Sequence, residues 1–426
     1  MRLLVLIIQF PPDVNAAGRL MAQLCHGLQA RGHGVSVITS FPHYDRFRIW
    51  DEFRGKLFQR ERVSDAGLDV VRLYVYASGN KRSMLHRLLS YLSFSALATL
   101  AGVLLRERFD LIVCSNGSFF SGIAASIIAS VRGIPFIYNV QDLYPETPVQ
   151  AGQLRNRAAI AVLERLERFM YRRAAHVTVI CSGFRDRLVS RGLAPSKVST
   201  IPNFVDTDFI RPLPKDNAFS RQYGLADRFV VMHAGNLGYV YDLETLIEAA
   251  ALLRDQPQIV CLIVGDGVVR QRLQERARGL SNVRFLPFQP HQTLPLLRAT
   301  ADIQVALYRA GAARFSMPSK VYEIMASGRP VLASAEPDTD LARLVAETRC
   351  GLCIPPGDPR GLAMAIQALF ADPLLRQRMG ERGRREAERT YSREAVVAQY
   401  DELCRALRAD RGQPAAPRPL EPTASL

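Results

Sequence analysis

Lys320 and Glu323 stand three residues apart at the start of a helical pattern, behind Arg314 and Ser319 and ahead of the break Gly328-Arg329-Pro330. A spacing of three puts both side chains on one face of a helix. A cation near a helix start offers charge to a phosphate, and a carboxylate one turn on can accept hydrogen bonds from two neighbouring hydroxyls. With Arg314 reaching in from the preceding loop, the stretch 314–330 suits a nucleoside diphosphate. An ordinary surface Lys–Glu pair uses the same spacing, so the pattern alone leaves both readings open.

Other candidates sit where apolar runs end. Gly235-Asn236-Leu237-Gly238 follows the run 229–234, and Gly265-Asp266-Gly267 follows 259–264. Glycines there let backbone approach a ligand, and the helical stretches after them (243–253 and 268–278) present N-termini to an anion. Neither turn has the G-x-G-x-x-G spacing of a dinucleotide fingerprint, and a turn without a ligand explains each equally well. In the first half, Asn15, Ala17 and Gly18 form a small-residue loop after the run 3–8, with Arg19 opening a helix. Asp142 follows the run 136–140, a place for a catalytic or substrate-positioning carboxylate or for a turn-capping one. The Asp-Thr-Asp triplets at 206–208 and 338–340 lie in turn-like contexts, and no metal site is expected from them.

These residues need a scaffold of strands whose carboxyl ends share an edge. Strand-like runs at 3–8, 35–39, 70–74, 111–114, 136–140 and 177–180 alternate with helical patterns such as 20–30 and 160–173. The second half repeats the scheme at 229–234, 259–264, 283–286, 303–307 and 331–334. Short apolar strands alternating with helices imply parallel sheets covered on both faces. The expected fold class is therefore α/β, with two doubly wound Rossmann-like domains and ligands at the carboxyl ends of strands, in the crevice between the domains. The expected divisions are 1–205, 206–390, a terminal helix over 391–410 and a Pro/Ala-rich disordered tail over 411–426.

The 426 residues carry a formal charge of +15. The excess is +12 over residues 1–205 and +3 over the remainder. An acidic partner is thus expected at the first half, or the chain simply has an Arg-rich solvated surface. Residues 88–105 hold no charge and follow Lys81, Arg82 and Arg87. Spanning a membrane, lying at its interface and burial in the domain are all compatible with that run. The N-terminal apolar run is short, ends in Pro11-Pro12, and reads as a buried strand and not a signal peptide. Seven cysteines with one Cys350-x-x-Cys353 pair point to reduced thiols and not to a zinc site.

Taken together, 201–206, 264–267, 283–286 and 318–330, with 31–37 in the first half, resemble the retaining sugar-nucleotide glycosyltransferases of family 4, which have the GT-B fold. The likeness runs from Arg2 to about Tyr400. It is strongest toward bacterial colanic-acid and O-antigen fucosyl- or fucosaminyltransferases. The resemblance implies two Rossmann-like domains facing across a cleft, with the terminal helix packing back on the first. It implies a donor site in the second domain, formed by Gly235, Asn236, Leu237, Gly265, Asp266, Gly267, Ser319, Lys320 and Glu323, and an acceptor site around Asn15, Ala17, Gly18 and Arg19. Glu323 matches the second Glu of the family's E-x7-E motif, while the first falls on Phe315. Of the basic pair that commonly meets the pyrophosphate, the first member is Asn236 here, so Lys320 and Arg314 are the substitutes. Gln141-Asp142 stands where many members have His-Asp, which excludes a catalytic histidine there.

The implied reaction moves a hexose, with fucose and an N-acetylated amino sugar as candidates, from a UDP- or GDP-sugar to a lipid-linked or oligosaccharide acceptor, such as a polyprenyl-diphosphate-linked glycan. Asp142, Lys320 and Arg314 are the expected catalytic residues. No cofactor, metal or nucleic acid is called for. The expected place is cytoplasmic, peripheral on the anionic inner face of the plasma membrane. A sugar-nucleotide epimerase, needing no acceptor, and a non-catalytic nucleotide-sugar or glycan binder are the competing readings.

Overall fold

A computed structural model describes residues 1–13, 15–44, 46–63, 67–79, 84–146, 149, 154–315, 317 and 319–409. Pro318, the Lys81–Arg82 flank and the expected tail from 411 lie outside the described residues. The chain forms two compact units, one of residues 1–139, 169–177 and 397 onward, the other of 140–168 and 178–396.

The first sheet has eight strands: β1 (Arg2–Leu6), β2 (Gly34–Ser40), β3 (Phe58–Val63), β4 (Leu68–Leu73), β5 (Leu111–Ser115), β6 (Phe136–Val140), β7 (His176–Val179) and β8 (Val198–Thr200). Their order is β3-β4-β2-β1-β5-β6-β7-β8. β1 pairs in parallel with β2 and β5, so the winding reverses beside β1, and the loop after β1 opens at that switch point. β1, β5 and β6 are almost wholly buried, which is why they read as continuous apolar runs.

β3 is different. It runs antiparallel at the sheet edge with half of each residue pair facing water. Its sequence, Phe-Gln-Arg-Glu-Arg-Val, carries the charges that discourage edge-to-edge pairing and that also hide a strand from an apolar-run search. Arg72 of β4 is buried, and it donates to Glu61 Oε1 at 2.5 Å and to the Pro11 carbonyl at 2.7 Å, tying the edge strand to the loop after β1.

The helix Arg393–Ala409 returns to this unit. Tyr400 accepts from Asn139 at 2.8 Å, and Asp401 pairs with the buried His33 at 2.8 Å. A Cβ on Gly27 would stand 2.5 Å from Val397, so only glycine permits that helix to dock here.

The apolar run seen in sequence is the helix Met84–Leu104. Phe94 and Ala98 are buried on one face, and Gly102 lets Ile128 of helix Ser121–Arg132 approach closely. Leu85, Leu88, Leu89, Leu92, Leu100 and Leu104 are exposed on the other, Leu85, Leu100 and Leu104 by more than half. Only about a fifth of the apolar window is buried, so the helix is not a core helix of its unit.

The second sheet has β9 (Phe229–Ala234), β10 (Ile259–Val264), β11 (Val283–Leu286), β12 (Ile303–Leu307), β13 (Val331–Ser334) and β14 (Gly351–Ile354), in the order β11-β10-β9-β12-β13-β14 and parallel throughout. Its switch point falls between β9 and β12. The helix Leu243–Leu252 buries Leu243, Leu246, Ile247, Ala249 and Ala250 against the sheet, at the i, i+3, i+4 spacing of one helical face. Cys353 lies in β14 and Cys350 just before it. Among the described residues no cluster of metal-ligating side chains forms.

Candidate functional site

At the carboxyl ends of β9 and β10 the two glycine turns are stacked on each other. Gly235 N donates to the Val264 carbonyl at 2.9 Å, and Leu237 N to the Asp266 carbonyl at 2.9 Å. A Cβ on Gly265 would lie 1.9 Å from the Gly235 carbonyl oxygen, and one on Gly267 would lie 2.3 Å from that of Leu237. These glycines are therefore required first by loop-on-loop packing. Gly265 also sits at φ 138°, where a side chain would be strained. Asp266 turns back to accept from Gly267 N at 2.8 Å. Leu237 is fully buried in the core, so any contact it makes with a ligand runs through its backbone.

Lys320 comes in over this floor from helix Ser319–Ala326. Its Nζ lies 3.5 Å from the centroid of the Tyr241 ring and 3.6 Å from where a Cβ on Gly235 would be. The ammonium is buried with no hydrogen-bond partner. Burial pushes it down to about 7, with repulsion from Arg298 adding to the effect and attraction to Glu323 opposing it. A buried charge without an acceptor is costly, and a cation–π contact offsets only part of that cost. An anion drawn to the Gly235 turn would supply the rest.

Glu323, one turn on, accepts at Oε2 from Arg298 at 2.5 Å. Arg298 is only 4 % exposed and also donates to Gln304 Oε1 at 2.7 Å. That support fixes the Glu323 carboxylate while the side chain stays partly open to solvent. Tyr241 is wedged between two aromatic neighbours, Tyr308 at 5.1 Å and His233 at 5.5 Å. His233 is fully buried, and desolvation together with the nearby Lys320 holds it neutral. His233 lies in a strand run, Arg298 in a helical stretch and Tyr241 in the loop between the Gly235 turn and the next helix, and nothing in their spacing marks them.

Arg314 lies in the short turn Ala312–Phe315, and its guanidinium pairs with Asp338 at 3.1 Å, both side chains at least half exposed. Glu336, from the same loop as Asp338, accepts from Gly311 N. The loops after β12 and β13 are thus tied together, and Arg314 faces a carboxylate. The structure brings together Gly235, Asn236, Gly265, Gly267, Lys320 and Glu323, and sets Arg314 in a second ion pair. Ser319 is exposed at the start of the helix that carries Lys320.

The first-half candidates have their own local reasons. Asn15 caps helix Ala16–Ala30 by accepting from Gly18 N at 3.1 Å. A Cβ on Gly18 would stand 2.8 Å from the Gln9 carbonyl, so glycine lets the helix start close against the β1 loop. Ala17 is half-buried and Arg19 exposed on that first turn. Buried Asp13, which spacing does not single out, accepts from Tyr44 N at 2.9 Å and holds the loop after β2 to the loop after β1. Asp142 follows β6 as an exposed residue, and the protein packed close around its carboxyl group removes enough water to raise it above its ordinary value. Beside it, Gln141 Oε1 accepts from Asn203 at 2.8 Å.

This layout has known counterparts. The Glycosyl transferase 4-like domain matches residues 15–203, and the Glycosyl transferases group 1 domain matches residues 216–386. The chain is 28% identical over 412 residues to WcaI of Escherichia coli K12, which is named as a putative colanic acid biosynthesis glycosyl transferase, with 94% of this chain and 98% of the relative covered. It is 24% identical over 300 residues to WbjE of Pseudomonas aeruginosa, which is named as a probable glycosyltransferase, covering 70% and 75%. Among solved structures, a sucrose-phosphate synthase from Thermosynechococcus elongatus superposes at TM-score 0.72 with 20% identity, covering 96% and 99%. Anabaena HepE in complex with UDP-glucose superposes at 0.69 with 18% identity, covering 95% and 100%. With both halves matched in order and a relative aligned nearly end to end, the chain belongs to the family 4 glycosyltransferases and has their GT-B fold.

Proposed function

We propose that this glycosyltransferase moves a hexose from a UDP- or GDP-sugar to a polyprenyl-diphosphate-linked or oligosaccharide acceptor in surface-polysaccharide synthesis, with retention at the anomeric carbon. The observation that carries the donor half is the buried, unpartnered Lys320 ammonium beside the Gly235 turn, with the braced Glu323 carboxylate one turn away. The complexes of HepE with UDP and UDP-glucose support a nucleotide-sugar donor. The names of WcaI and of LpsE from Rhizobium meliloti, a lipopolysaccharide core biosynthesis glycosyltransferase 32% identical over 181 residues, support a polysaccharide acceptor.

In this reading Glu323 accepts from the ribose hydroxyls and Lys320 meets the diphosphate. The bond between the anomeric carbon and the phosphate oxygen breaks with its electron pair leaving on the diphosphate. Lys320 stabilises the charge that develops there. The acceptor hydroxyl adds to the same face of the sugar and gives its proton to the departing phosphate oxygen. Asp142 positions the acceptor or the sugar, and Asn15, Ala17, Gly18 and Arg19 line the acceptor side. Arg314 reaches the diphosphate only by leaving Asp338.

The exposed leucine face of helix Met84–Leu104 supports attachment to the inner face of the plasma membrane. The leucines lie along one side of the helix, and Arg87, Arg106 and Arg108 are exposed near its ends. Such residues contribute roughly 1 kcal/mol each next to an anionic surface. Chromatography of free nucleotide released from a panel of UDP- and GDP-sugars with a lipid-linked acceptor tests the reading. Acceptor-dependent release is expected. Product formed from donor alone would favour an epimerase, and tight binding without turnover would favour a binder.

A further inference from the structure

The donor-site reading leaves open why Lys320 rests where it does. Among the described residues, four side chains bear on its ammonium. His233 of β9 is neutral, and Tyr241 offers its ring face, with Tyr308 at the end of β12 behind it. Arg298 from helix Leu294–Thr300 is paired with Glu323 on the helix that carries Lys320. The positive charge of Arg298 is thus paired directly with Glu323, whereas among the described residues the Lys320 ammonium has no hydrogen-bond partner, only the Tyr241 π face and a more distant attraction to Glu323. We propose that Tyr241 is a positioning residue for the donor: its ring holds the Lys320 ammonium uncompensated beside the Gly235 turn, so that a nucleoside diphosphate binds to the protonated lysine and draws a proton from solvent where the lysine is neutral. The inference rests on the donor site lying at Lys320 and adds how that site is held ready and how pH governs it.

The geometry explains both parts. An ammonium left free on a flexible four-carbon stem would hydrate and swing away. Over the Tyr241 ring it is desolvated and fixed, which strengthens its later contact with phosphate. Desolvation also makes the proton easy to lose. Donor-free Lys320 is held at about 7 by burial, and an adjacent diphosphate raises it again. Affinity is therefore full below about pH 7 and falls about tenfold per unit above it.

Calorimetric titration of the full chain with UDP-glucose and with GDP-mannose, whose diphosphodiesters do not ionise in the range, tests this between about pH 6 and pH 8.5 in buffers of differing ionisation enthalpy. The wild type should take up protons on binding above about pH 7. Tyr241→Phe should keep the wild-type profile. Tyr241→Leu should weaken binding about tenfold and move the midpoint to lower pH, a shift that a merely structural role would not produce. Lys320→Arg, which stays charged, should bind with no dependence on pH. Binding by the wild type that is flat with pH, or an unchanged midpoint in Tyr241→Leu, would overturn the inference while leaving the donor site in place. Failure of both donors to bind at any pH would overturn the donor site itself and this inference with it.

Discussion

The Lys320 ammonium stands 3.5 Å from the centre of the Tyr241 ring, buried and without a hydrogen-bond acceptor. A fold gains nothing from such a charge, so the arrangement separates what the residue does for stability from what it does for function.

Lys320→Met should therefore stabilise the ligand-free protein, by about 1–3 kcal/mol near pH 6, read as a shift in urea midpoint. The sign follows from linkage. The unfolded lysine keeps its proton across neutral pH, whereas the folded one loses it above about 7. Wild-type stability thus rises with pH through that window, and the advantage of the methionine should shrink toward pH 9. The same variant should lower kcat/KM for nucleotide release by about 100-fold or more.

Glu323→Gln should weaken nucleotide binding while the protein stays folded, since Gln304 still holds Arg298 at 2.7 Å. The expected stability loss is about 1–3 kcal/mol, because a hydrogen bond to a buried guanidinium becomes weaker. Equilibrium unfolding and nucleotide titration of the one variant separate the two effects.

Gly265→Ala places a Cβ 1.9 Å from the Gly235 carbonyl at a backbone angle of 138°. It should cost more than about 2 kcal/mol and push the two turns apart. Nucleotide affinity should fall with stability here, in contrast to Lys320→Met, where the two move in opposite directions.

The paired change Leu88→Glu with Leu92→Glu should abolish flotation with anionic vesicles and leave the folding free energy within about 1 kcal/mol of wild type, because both leucines are exposed. Unchanged flotation would remove helix Met84–Leu104 from the membrane account.

Much of the fold is legible in the order of the residues. β9, β10, β12 and β13 are buried on both faces, so each reads as an apolar run with no ambiguity of period. Charge type and spacing mark Lys320 and Glu323. β3 escapes notice because an edge strand alternates and carries charge, β8 because three residues give too little pattern, and β14 because it opens on a glycine and no residue of it is fully buried. The glycine turns stand out in the chain, but their first purpose, stacking backbone on backbone, appears only once β9 and β10 lie side by side. Tyr241 and Arg298 are hidden for the same reason. Their roles arise from Lys320 and Glu323 beside them in space, 79 and 25 residues away in the chain.

A crystal structure of the full chain with a bound nucleoside diphosphate decides where the donor sits. A phosphate oxygen is expected about 2.7–2.9 Å from Lys320 Nζ, over the Gly235 turn, with the ribose hydroxyls at Glu323. A nucleotide bound elsewhere, with Lys320 still unpartnered above Tyr241, would contradict that placement.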